Sequence, residues 1–153
     1  MEEDINQFFL GKFHMQAKEI RTYSPLVLAY IGDGIYDLII RSLVVGNGNA
    51  HVNDMHRMTS QLVKAHAQSE LIGILMPDLT EEEAGVYRRG RNANSATMAK
   101  NATVADYRRA TGFEALMGYL YLEGRMERMM ELLVSGLTKL REGEGHAVRG
   151  IDD

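Results

Sequence analysis

The sequence predicts an all-α protein, a single bundle of helices. Helical spacing of apolar residues recurs throughout while strict two-residue alternation is rare. Helix-start pairs punctuate the chain, among them Ser24 with Pro25 and Thr80 with Glu83. Two stretches, 26–40 and 110–122, are apolar nearly all round, as helices in the middle of a core are.

Taken in order, Ser24 as N-cap and Pro25 as first helical residue open a long helix reaching about Val45, which stops before Gly46-Asn47-Gly48-Asn49. Asn53 or Asp54 then caps a predicted helix through about Leu75, ended by Pro77, with Leu62, Ala65, Ser69 and Ile72 or Gly73 on one face. Thr80 with Glu83 fits a capping box and predicts a shorter helix from Glu81 to about Arg88. The following stretch, RRGRNANSATMAKNATVADYRR, is rich in small polar residues and reads as an exposed loop between helix ends. Two last helices are expected over about Val104 to Leu122 and Met126 to Leu140, parted near Gly124. There is no internal repeat and no linker, so residues 1–140 are expected to form one domain and the glycine-rich tail 141–153 to fray.

A chain of 153 residues with 45% hydrophobic composition fits one core, and most of it is too apolar for intrinsic disorder. With no cysteine it offers neither disulfides nor a thiolate zinc site, and MEEDINQFFLGK lacks the basic-then-apolar order of a secretory signal. Apolar runs such as Ile35 to Ile40 are too short to cross a bilayer, which takes about 20 residues. The expected setting is the cytosol. The formal net charge of −4 hides an asymmetry: between Tyr87 and Arg109 six bases face the single acid Asp106, giving +5, while the remainder, with 11 bases and 20 acids, carries −9. A cationic island on an acidic protein suits a polyanion that docks at one place.

Asp33 and Glu114 interrupt the two most apolar stretches, and an ionised carboxylate in such surroundings calls for a partner or a cation. Asp37 lies one helical turn beyond Asp33, so the two carboxylates share a side and repel; Mg²⁺, which prefers oxygen donors, relieves such repulsion. Gly32 and Gly34 flank Asp33, and Gly112 and Gly118 bracket Glu114. Each glycine costs a helix about 1 kcal/mol relative to alanine, which makes sense where another helix or a ligand approaches the backbone. If the two helices cross near these glycines, Asp33 and Glu114 share a site. The alternatives are that Asp37 faces solvent with Asp33 neutral or hydrogen-bonded to a nearby tyrosine, and that Glu114 pairs with Arg108 or another arginine inside the bundle.

Within the basic segment, Arg88, Arg89, Arg91, Asn92, Lys100 and Asn101 supply donors suited to phosphate oxygens and ribose hydroxyls. No aromatic platform for stacking single-stranded bases stands out, so double-stranded RNA read by shape is the better-fitting partner. His51, His56 and His66 are not at the spacing of a helical zinc pair, and the ten methionines read as core or subunit contact.

LAYIGDGIYD (28–37), YRRGRNA (87–93) and AKNATVADYRRATGFEALMGYLYLEG (99–124), in this order, resemble the bacterial Mini-III ribonucleases, short members of the ribonuclease III family. The resemblance implies an all-helical, homodimeric endonuclease domain that cuts double-stranded RNA with Mg²⁺, leaves 5′-phosphate and 3′-hydroxyl ends, and matures the large-subunit (23S) ribosomal RNA precursor. It implies that Asp33 and Glu114 are the catalytic metal-binding acids. Two acids usual in larger relatives are replaced here by Ala29 and Thr111, Asp37 stands where these short enzymes tend to have glutamate, and Gly34 stands where they tend to have alanine. A helical RNA-binding or ribosome-assembly factor without hydrolysis is the alternative, with a helical interaction protein behind it.

Overall fold

The computed structural model describes residues 4–93 and 103–144, which form seven α-helices and no strand. They are α1 (Ile5–Lys12), α2 (Pro25–Gly46), α3 (Val52–Val63), α4 (Ala65–Leu75), α5 (Glu81–Asn92), α6 (Val104–Leu122) and α7 (Met126–Glu144). The all-α expectation holds. Ser24 Oγ accepts from the Val27 N–H at the start of α2, and the Thr80–Glu83 capping box opens α5, both as the sequence predicts.

α6 is the axis of the bundle. From Ala110 to Tyr121 every residue except Glu114 is buried, and α2, α4 and α5 pack around it. Two glycine crossings set the distances. A Cβ on Gly32 would lie 1.7 Å from the Glu114 carbonyl oxygen, and one on Gly118 would lie 1.9 Å from that of Leu28, so α2 and α6 touch backbone to backbone and run antiparallel. On the other side, Gly90 of α5 meets Gly112 and Ala115 of α6, while Gly112 lies under the Tyr87 ring. Gly34, by contrast, meets nothing within 4 Å, so among the described residues the close approach expected at both glycines beside Asp33 is found only at Gly32.

Tyr36 and Phe113 pack edge to face at 4.9 Å, and the Tyr36 hydroxyl donates to the Leu62 carbonyl at 2.9 Å. α7 closes the bundle against α4, with Gly136 over Leu71 and Leu75. Its Arg128 donates at 2.8 Å to both carboxylate oxygens of the fully buried Glu83, which holds that carboxyl below its usual range. Gly124 takes a positive φ of 71° at the α6–α7 turn, as a helix-ending glycine does.

Three expectations are corrected. The single helix predicted from Asn53 or Asp54 to Leu75 is two helices, because Lys64 is extended at φ −66°, ψ 156°. The carbonyls of Leu62 and Val63, beside the break, are taken by the Tyr36 hydroxyl and by Gln68 Nε2, each at 2.9 Å. The helix expected to stop at about Arg88 continues to Asn92, because Tyr87 and Gly90 pack onto α6. Near the N-terminus α1, which the sequence reading omits, opens on a capping box between Asp4 and Gln7. The last helix ends at Glu144, four residues past the expected Leu140.

Candidate active site

Asp33 of α2, Glu114 of α6 and Gln68 of α4 meet where these helices come together. Gly32 allows this: with its backbone pressed on the Glu114 carbonyl, the next residue, Asp33, is brought beside the Glu114 side chain. Gln68, 1% exposed, donates from Nε2 to Glu114 Oε2 at 3.5 Å. Burial, followed by the charge of Asp33 and its hydrogen bond, pushes the Glu114 carboxyl up to about 8, while the Gln68 bond acts in the opposite direction. Two carboxyl groups share one place, and among the described residues no arginine pairs with Glu114, Arg108 included.

The two acids differ in setting. Glu114 is half-buried, whereas Asp33 is exposed, so the expectation of two acids enclosed by apolar neighbours holds only for Glu114. Both faces of α2 near Asp33 read as apolar in sequence, yet one of them faces outward, where Tyr30 and Leu38 are exposed. Asp37 is held by Arg41 at 2.8 Å, a surface pair along α2. Where larger relatives place further acids, Ala29 is buried in the core and Thr111 donates its hydroxyl to the Tyr107 carbonyl at 3.0 Å. Among the described residues no three His, Cys, Asp or Glu side chains stand close enough to form a metal cage. The donor set that remains is two carboxylates and an amide, all oxygen donors of the kind Mg²⁺ accepts, with phosphate and water completing its shell.

The arginines expected on a loop, Arg88, Arg89 and Arg91, are on the last turn of α5 with Asn92. Because α5 runs antiparallel to α6, from Glu82 beside Tyr119 to Gly90 beside Gly112, this turn stands next to the Glu114 end of α6. Arg88 and Asn92 are exposed, and the Arg91 guanidinium lies 5.6 Å from the centre of the Tyr87 ring. Arg89 lines a cavity of about 480 Å³ with Arg21, Tyr23, Leu28 and Tyr119. Exposed Arg108 and Arg109 on the first turns of α6 add to the basic end. Lys100 and Asn101 lie outside the described residues. His66 bridges Glu70 at 2.6 Å and Asp106 at 3.0 Å on the surface, and the Asp106 bond above all raises its basicity.

The profile of the Ribonuclease III domain matches residues 26–125, a span that includes Asp33, Gln68 and Glu114. A Mini-ribonuclease 3 of Clostridium tetani is 43% identical over 145 residues, covering 92% of this chain and 95% of the relative. The chain belongs to the Mini-ribonuclease 3 family. A Mini-ribonuclease 3 of Enterococcus faecalis is 46% identical, with 82% of this chain and 96% of the relative covered. A crystal structure of a Fusobacterium nucleatum protein superposes with a TM-score of 0.71 at 32% identity, over 76% of this chain and 95% of that one. The fold is therefore that of the ribonuclease III domain, and the protein is a ribonuclease III-type endoribonuclease. No helix among the described residues is long and apolar enough to cross a membrane.

Gln68 is the residue that sequence reasoning missed. A glutamine beside alanines and a serine on a helix gives no signal of its own, and its position depends on the break at Lys64, which no glycine or proline marks.

Proposed function

We propose that the protein is a Mg²⁺-dependent endoribonuclease of double-stranded RNA in which Asp33 and Glu114 are the catalytic, metal-holding acids. The observation that carries this reading is their closeness across the Gly32 crossing, where two carboxyl groups meet with no cationic side chain among the described residues paired to them. A Mg²⁺ held by Asp33 and Glu114 would supply Lewis-acid chemistry there, activating water and offsetting charge on the scissile phosphate. The chain's own part is to hold two oxygen donors at a fixed distance on rigid helices, with Asp33 open to solvent and so to an RNA strand. Asp37, paired with Arg41, is left as a neighbour of the site.

Arg88, Arg89, Arg91 and Asn92, with Lys100 and Asn101, position the RNA backbone. Neutralising Arg88, Arg89 and Arg91 together is expected to weaken duplex binding across sequences and lower its salt dependence by up to about 0.9 in log–log slope per lost phosphate contact. An unchanged slope in a binding titration from low to moderate salt would remove the assignment.

A homodimer is supported by Leu26, Val27, Tyr30 and Leu38, all exposed on α2, and by the open space beside Gly34, where a second α2 could approach. Two sites facing opposite strands then suit a duplex. The family resemblance points to the large-subunit ribosomal RNA precursor in the cytoplasm as substrate and setting.

The deciding experiment is cleavage of an end-labelled duplex from that precursor with Mg²⁺ or with chelator, run beside sedimentation at the assay concentration. Mg²⁺-dependent products carrying 5′-phosphates from a dimer support the reading; binding without products in Mg²⁺ would overturn it.

A further inference from the structure

Gln68 is the one buried polar side chain at the site with an unmet atom. Its Nε2 donates to the Val63 carbonyl at 2.9 Å and to Glu114 Oε2 at 3.5 Å, and among the described residues its Oε1 alone is buried with no partner. The orientation of the amide follows from its neighbours. The Val63 carbonyl can only accept, so it fixes Nε2 on its side: a flipped amide would set Oε1 against that carbonyl at 2.9 Å.

We propose that Gln68 is a third oxygen donor of the Asp33–Glu114 site, its Oε1 serving the cation held there while its Nε2 anchors the Glu114 carboxylate. The inference rests on the metal reading given above. Three observations favour it. A buried acceptor without a partner is uncommon, and a cation satisfies it. The positions that bring further acids to larger relatives are spent, Ala29 in the core and Thr111 on the Tyr107 carbonyl, so a site built from the described residues has only two carboxylates. A neutral amide adds an oxygen without adding to the repulsion that already exists between Asp33 and Glu114.

The break between α3 and α4 makes this geometry possible. At Lys64 the chain turns out of helix, the Val63 carbonyl becomes the anchor for Nε2, and the amide is held at both ends of one nitrogen. Gln68 is thus held by backbone on one side and by Glu114 on the other, with Oε1 the atom of the amide left without a partner.

The test is Mn²⁺ binding, followed by electron paramagnetic resonance, to the full chain without RNA and with a short duplex, for wild type, Asp33→Asn, Gln68→Met and Gln68→Glu. Circular dichroism checks that each variant is folded. Wild type is expected to bind and Asp33→Asn to lose binding. Gln68→Met, which removes both amide atoms, should weaken Mn²⁺ by about 10-fold to 100-fold, the range seen when groups that orient metal ligands are lost. Gln68→Glu, which keeps the oxygen, should bind at least as tightly as wild type. A Gln68→Met protein that binds like wild type while Asp33→Asn does not would overturn the role of Gln68 and leave the metal site standing. If Gln68→Met does not fold, Gln68→Glu decides: Mn²⁺ binding weaker than wild type overturns the proposal. No Mn²⁺ on wild type in either condition would overturn both readings.

Discussion

Gly32→Ala is expected to destabilise the protein by at least about 3 kcal/mol and to lower its melting temperature by on the order of 10 °C. The added Cβ would sit 1.7 Å from the Glu114 carbonyl oxygen, a backbone atom with no rotamer to change, so α2 and α6 must move apart along their crossing. Gly118→Ala meets the Leu28 carbonyl at 1.9 Å on the same crossing and should behave alike. Two residues from Gly32, Gly34→Ala meets nothing within 4 Å among the described residues of its own chain and should stabilise the fold of the single chain by roughly 0.5–1 kcal/mol, because alanine restricts the unfolded chain and favours the helix. Urea unfolding of the three variants separates the cases. Equal midpoints for Gly32→Ala and Gly34→Ala would mean that the crossing is not where the stability lies. Because Gly32 adjoins Asp33, the same substitution should also part the two acids and reduce cleavage.

Much of this was legible in the sequence, for reasons that differ by element. α2 and α6 carry their own punctuation: Ser24 and Pro25 set one start, and Gly32 and Gly118 mark where the two helices pass. The meeting of α2 and α6 beside Asp33 and Glu114 is what that punctuation suggests, since glycine is costly in a helix unless something lies against it. The Lys64 break was not legible. It is stabilised by bonds from Tyr36 and Gln68 to residues 62 and 63, and such long-range partners leave no local pattern. The extension of α5 to Asn92 likewise depends on Gly90 finding Gly112 across the bundle; the local sequence RRGRNA reads as an ending. α1 did carry a signal, the spacing of Asp4 and Gln7, in a segment where exposed Phe8, Phe9 and Phe13 blur the apolar face. The exposure of Asp33 could not be read at all, because apolar surface left open on α2 has the same sequence as apolar surface buried.

The same proximity that serves the proposed chemistry works against the fold, and Glu114→Gln should expose both effects at once. Loss of a direct oxygen donor is expected to reduce Mg²⁺-dependent cleavage by at least about 100-fold, with duplex binding retained. Stability should move the other way. In the folded protein the Glu114 carboxyl is raised from 4.5 to about 8, so between those values the folded state holds a proton that the unfolded state has released. The stabilisation this gives is full below about pH 4.5 and is lost as pH rises through about 8, with a steepest slope of about 1.4 kcal/mol per pH unit. Glutamine mimics the protonated acid at every pH and removes this dependence. In chelator, wild type and Glu114→Gln should therefore unfold at similar urea concentrations near pH 4.5 and diverge toward pH 8, the variant being the more stable. Asp33→Asn, which removes the charge that repels Glu114, should flatten the wild-type slope in part. Added Mg²⁺ should flatten it in the unmutated chain, since a cation between the acids takes the place of the proton. Parallel curves for wild type and Glu114→Gln across that range would mean that Asp33 and Glu114 do not interact strongly enough to be one site. Divergent curves with unimpaired cleavage would detach the pair from the chemistry.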